Sequence, residues 1–198
     1  MAADHTLTKL VGSIYDCILS PERWFGVLQR IQERLGAQSS YLLIHGTRPA
    51  APDLTILIEH NVDAQSRQAY DLHYIKLNPL LPYLASIESG QTYCCRHLVT
   101  RPEYLQSAFY QEWAKLVHWF DYAGVTLIRR PDTSAAIGFT RVQRAGVFDD
   151  DGLRMFKLLA PRDISTGREK STHENCAYLA DVDLVRRAFP RVPFVMSQ

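Results

Sequence analysis

Two β-hairpins set far apart in the chain restrict the architecture more than any other feature. "AGVTLIRR" (123–130) and "AAIGFTRV" (135–142) are β-rich runs on either side of Pro131-Asp132-Thr133-Ser134, a cluster of turn formers. "SSYLLIH" (39–45) and "LTILIEH" (54–60) repeat the arrangement around a segment containing Pro, Gly and Asp. Tight hairpins pair antiparallel. The order helices, hairpin, helices, hairpin, helix predicts an antiparallel sheet of roughly five strands covered by helices, an α+β or α/β sandwich.

The helical segments follow from apolar spacing. Leu7, Leu10, Val11, Ile14 and Ile18 make one face of a helix over 6–19. Ser20-Pro21-Glu22 starts the next one, because Ser caps, Pro suits the first helical position and Glu favours the positive end. Its buried stripe is Trp24, Val27, Leu28, Ile31 and Leu35, and Gly36 ends it. A helix over 63–77 comes before Asn78, with a short one after. "RPEYLQSAFYQEWAKLVHWF" (101–120) reads as helix, opened by Thr100 and Glu103 at capping-box spacing. Asp149, Asp150 and Asp151 open the last helix, with Leu153, Phe156 and Leu159 inward and Pro161 as its stop. Residues 1–161 thus form one domain. Residues 162–198 read as a polar appendage, loosely attached or partly disordered.

Several function classes are excluded by what the chain lacks. Its net charge of +1 over 198 residues leaves no electrostatic footprint for nucleic acid. A helix-turn-helix would have to lie in 162–198, where six Lys/Arg meet five Asp/Glu and only one short helix is plausible. Cys17, Cys94, Cys95 and Cys176 have no metal spacing and read as free thiols of a reducing cytoplasm. The first residues form neither signal peptide nor anchor, and no run approaches a membrane span. No G-x-S-x-G, Walker or G-x-G-x-x-G pattern occurs, and the seven histidines are scattered. Cys95-Arg96-His97 could set a thiolate beside a cation, but no third group accompanies it. The expectation is no enzyme, no metal and no cofactor.

The aromatic residues leave two readings open. Tyr70 and Tyr74 share a helical face, as do Phe109 and Trp113. Each alone is ordinary core. Buried tyrosine hydroxyls need partners, however, and small-molecule pockets are apolar walls with a few placed polar groups. Tyr70, Tyr74, Asn78 and Tyr93 would supply such a wall. Asn78 is equally explained as a cap for the helix opened by Pro79.

Four stretches together resemble the N-terminal sensor domain of LuxR-type transcriptional regulators. They are "IYDCILSPERWFGVLQRIQERLGAQSSYLLIH", "YDLHYIKLNP", "SAFYQEW" and "GFTRVQRAGVFDDDGLRMFKLLAP". The resemblance implies a PAS/GAF-like three-layer α/β/α sandwich with a ligand cavity between the sheet and one helix layer, and it implies dimers. Tyr70 or Tyr74 takes the pocket tyrosine position, Asn78 the acidic position before Pro79, and Tyr93 the downstream aromatic. Members that bind acyl-homoserine lactones carry Asp where this chain has Asn78, and a Trp where it reads Ala64-Gln65-Ser66-Arg67. After "LLAP" the polar segment from Arg162 replaces the usual passage to a DNA-binding module. The resemblance therefore implies a cytoplasmic sensor without its own DNA-binding module. It would bind a small apolar or aromatic ligand and form homodimers, or mixed dimers with a full-length regulator. Tyr41, Tyr70, Tyr74, Asn78, Tyr93, Phe109 and Trp113 are its candidate ligand residues. The alternatives are a ligand-free dimerisation scaffold and an enzyme using a Cys or His in the cleft.

Overall fold

The computed structural model describes residues 13, 16, 17, 20, 23–48, 51–131 and 133–159, with only the backbone given over 45–48, 51–58, 133, 158 and 159. Ser13, Asp16 and Cys17 are helical; the rest of the expected helix at 6–19 and the whole of 162–198 lie outside the described residues.

Helix α1 (Trp24–Leu35) buries Trp24, Val27, Leu28, Ile31 and Leu35 as the spacing predicts. It stops at Gly36, whose φ of 58° is left-handed, while the Ala37 N–H reaches back to the Gln32 carbonyl. Strands β1 (Ser39–Arg48) and β2 (Ala51–His60) form the first hairpin, and β4 (Asp121–Arg130) and β5 (Thr133–Arg141) the second. A fifth strand, β3 (Thr92–Cys94), pairs with β4. All pairings are antiparallel, in the order β2-β1-β5-β4-β3.

Side chains alternate across the pleat, so the sheet carries two different cores. One face (Leu42, Ile44, Val125, Ile137, Phe139) packs on α1 and on the last helix, α6 (Asp150–Leu159), through Trp24, Leu28, Phe148 and Phe156. The other carries tyrosines and small residues beneath an aromatic helical layer. β4 is buried from Asp121 to Ile128, as a central strand covered on both faces must be. A register shift between Thr126 and Ile128 turns both Leu127 and Ile128 towards the α1/α6 core.

The layer over the second face differs from its expected outline in two places. The helix read over 63–77 divides into α2 (Ala64–Leu72) and a 3₁₀ turn (Tyr74–Leu77). Asp63 caps α2 by accepting from the Ser66 N–H at 2.8 Å. Pro79 forces Asn78 into extended backbone, and the chain unwinds through His73. A short α3 (Leu81–Leu84) follows. Next come α4 (Cys95–Leu98) and α5 (Arg101–Gln106), the latter opened by Thr100 and Glu103 in a complete capping box. The helix read over 101–120 breaks at Ser107. The Ser107 hydroxyl donates to the Tyr104 carbonyl at 2.7 Å and accepts from the Tyr110 N–H at 3.1 Å, so it caps a new segment. That segment is a π-helical turn, Tyr110–Ala114, closed by left-handed His118.

Candidate functional site: an aromatic cavity on the sheet

Tyr41, Gly138, Gly124 and Tyr93 lie side by side on four neighbouring strands, with Glu59 extending the row onto β2. The glycines leave space above the sheet and the flanking tyrosines fold inward to use it. A Cβ on Gly138 would land on the Tyr41 ring, and one on Gly124 would meet both the Tyr93 phenol and the Ile137 carbonyl. The rings converge on Tyr122, whose hydroxyl is bonded to the Tyr41 hydroxyl and lies 3.2 Å from that of Tyr93. Burial raises all three phenols above their ordinary value, so they stay protonated. Two hydroxyl–hydroxyl bonds consume two of three protons, which leaves one donor for a guest.

Above this floor lies a cavity of about 820 Å³. Its walls are mainly apolar and aromatic: Tyr70, Leu80, Leu84 and Phe109 with Trp119 on the helical side, Leu43 and Ala136 on the sheet. Such a size falls in the upper part of the usual range for small-molecule sites, roughly 300–1,000 Å³. Tyr70 is the hub of the wall, 5.0 Å from Trp113, 6.2 Å from Phe109 and 6.4 Å from Trp119 between ring centroids.

Asn78 faces the cavity and turns the chain ahead of α3, but the residue that caps α3 is Leu80 rather than Asn78. The Asn78 Oδ1 accepts the Leu80 N–H at 3.0 Å, and its Nδ2 donates to the Tyr70 hydroxyl at 3.0 Å. The backbone bond fixes the amide orientation, so Asn78 offers N–H to the cavity and Tyr70 keeps its own proton free to donate. An Asp here would present acceptors only; this end of the cavity instead presents donors. Arg67 closes an adjacent corner, gripping Asp71 through two bonds (2.7 and 2.8 Å) and Glu59 at 2.9 Å. Burial holds the Glu59 carboxyl above its ordinary range against the pull of Arg67.

Of the seven candidates, Tyr41, Tyr70, Asn78, Tyr93 and Phe109 line the cavity together. Trp113 and Tyr74 stand behind the wall. The Trp113 Nε1 donates to the Ser66 carbonyl at 3.1 Å, tying the π-turn to α2, and its ring stacks on Tyr74 at 6.2 Å. The unwinding at His73 and the π-turn rotate these two away from where a regular helix would aim them. Sequence reasoning missed Tyr122, Trp119, Leu80, Thr126 and Arg129. Among the described residues no cysteine or histidine lines the cavity. Burial, reinforced by the Asp121 carboxylate, pushes the Cys95 thiol up to about 12, the opposite of an activated nucleophile.

Comparison of the sequence with protein-family models and with curated proteins finds no match. Solved structures do match. The VqsR ligand-binding domain of Pseudomonas aeruginosa is 13% identical with a TM-score of 0.54, over 81% of this chain and 90% of that one. CepR2 of Burkholderia cenocepacia, an N-acylhomoserine lactone dependent LuxR-family transcription factor, is 14% identical with a TM-score of 0.57, over 98% and 100%. SdiA in complex with octanoyl-rac-glycerol is 12% identical with a TM-score of 0.56, over 89% and 68%. The chain shares the fold of these three structures. The cavity described above lies between the sheet and the layer of α2, the 3₁₀ turn and α3. Among the described residues no helix is long and apolar enough to cross a membrane.

Proposed function

We propose that the chain is the ligand-sensing domain of a LuxR-type regulator, taking a small apolar or aromatic molecule into the tyrosine-floored cavity. The hollow of about 820 Å³ between the sheet and the helical layer, with its mainly apolar and aromatic walls, carries this reading. The site chemistry is recognition: placed donors (Tyr70, Asn78 and one phenol of the triad) over apolar walls.

The lid layer supports a switch by population shift. α1 buries six residues, whereas α2, the 3₁₀ turn and α3 contain no fully buried residue; only Asn78 and Leu80 between them are buried. A guest burying about 300 Å² of apolar surface supplies ~7 kcal/mol gross, before association costs. That suffices to order a weakly anchored layer and to favour a dimer built on it. The dimer is formed with a second copy or with a full-length regulator.

Native mass spectrometry of gently purified protein tests the reading. A retained small molecule, lost when the chain is unfolded, is the expected result. A bare mass, together with no rise in melting temperature across acyl and aromatic amphiphiles, would refute it. Gel-shift assays of a full-length regulator with this chain added test the mixed dimer, and unchanged DNA binding contradicts it.

A further inference from the structure

Apart from the exposed Lys76, the charges around the cavity are divided between two corners. Glu59 lies on β2, in the row of Tyr41, Gly138 and Gly124. Arg129 lies on β4 opposite Ser134, four residues along β5 from Gly138. Four residues at about 3.3 Å and three strand spacings at about 4.8 Å set Glu59 and Arg129 on the order of 20 Å apart, at opposite corners of the floor. The Glu59 corner is self-contained, since Arg67 is spent on two carboxylates and the trio carries a net charge of one minus. The Arg129 corner is not. Its guanidinium donates to the Leu84 carbonyl at 2.8 Å and the Ile87 carbonyl at 3.3 Å. Among the described residues no carboxylate pairs with it. Two of its five N–H donors are thus used in being positioned, and three remain. Arg129, Thr126 and Ser134 all line the cavity there.

Resting on the sensing reading above, we infer that Arg129 is the anchor for an anionic head group, and that the ligand is an amphipathic carboxylate lying with its acid at Arg129 and its apolar body towards Tyr70 and Phe109. A half-buried guanidinium held by neutral carbonyls has a charge to satisfy, and its planar fork matches a carboxylate. The net negative corner repels the same head group and so sets the orientation. Lys76, the other unpaired cation of the lining, is exposed and therefore screened.

The test is calorimetric titration of the full chain at neutral pH with matched acids and methyl esters: octanoic, decanoic, dodecanoic, 3-phenylpropionic and indole-3-acetic. Two variants are used, each checked by circular dichroism. Arg129→Gln removes the charge, keeping a donor for the Leu84 and Ile87 carbonyls. Ser134→Asp leaves Arg129 in place and neutralises it from the neighbouring strand. The expected result is that the wild type prefers at least one acid over its ester by about ten- to a hundredfold, the worth of a charge-assisted bond. Both variants lose that preference, read as the ratio of acid to ester affinity within each protein. Equal binding of acid and ester by the wild type, or an acid preference that survives in either folded variant, overturns the assignment to Arg129 and leaves the sensing reading standing. Failure of every acid and every ester to bind the wild type removes the sensing reading, and this inference with it.

Discussion

Gly138→Ala is a one-atom probe of how the cavity floor is built. The new Cβ lands on the Tyr41 ring, which is a movable side chain, so the ring must swing off the sheet and into the hollow. Its bond to the Tyr122 hydroxyl then breaks, costing about 1 kcal/mol, and repacking adds ~1–3 kcal/mol. Removing a strand glycine returns about 0.5–1 kcal/mol. The net loss is roughly 1–3 kcal/mol, or about 3–10 °C in melting temperature for a chain of this size. Ligand affinity falls with it, because the displaced ring occupies the guest's volume. Gly124→Ala is the control. There the Cβ also meets the Ile137 carbonyl, which cannot step aside without distorting the sheet, so the loss is larger than at Gly138. Thermal melts followed by circular dichroism, with calorimetric titration of the amphiphile panel, read both effects. A Gly138→Ala protein with wild-type stability and binding, or a Gly124→Ala protein less affected than Gly138→Ala, would refute the tyrosine-over-glycine floor.

Other consequences follow from single residues. Tyr122→Phe leaves the Tyr41 and Tyr93 hydroxyls without their shared partner and should cost about 1–3 kcal/mol in urea unfolding, far more than Tyr83→Phe at the surface; equal costs would contradict the triad. Burial raises the Glu59 carboxyl in the folded state, so its contribution to stability is fully present below the ordinary carboxylate value of about 4 and is lost as pH rises through the raised value. Wild-type stability should therefore fall relative to Glu59→Gln as pH rises through that window, and a gap that stays constant or moves the other way would show the shift is absent. Cys95 should react with thiol reagents far more slowly than a free cysteine at neutral pH, because burial and the Asp121 carboxylate disfavour its thiolate; rapid labelling would contradict its burial.

What the chain declares locally, it declares well. The stripe of Trp24, Leu28 and Ile31, the Thr100–Glu103 cap and the strand-forming runs around Pro131 rest on neighbours within a few residues, and each element formed. Helix interruptions were less visible. Ser107 reads as an ordinary helical position until its hydroxyl is seen bonded to the backbone on both sides. The cavity floor was harder still. Tyr41 and Tyr122 meet across 81 residues, and their meeting depends on strand order and register that no local pattern encodes. One signal was present: Gly124 and Gly138, single glycines inside β-rich runs, mark places where something must approach the backbone closely. Arg129 carried no signal, because the absence of an acidic partner for it among the described residues is a property of the folded surroundings.

Filling the hollow tests its existence most directly. Ala136 stands mid-floor on β5, between Leu43 and Thr126, and lines the cavity. Ala136→Phe should fold with a melting temperature at or above that of the wild type, since its ring enters empty apolar space, and should lose amphiphile binding by at least about tenfold. A loss of ~1–3 kcal/mol in stability, the mark of a ring forced into closely packed surroundings, with binding unchanged, would contradict the account.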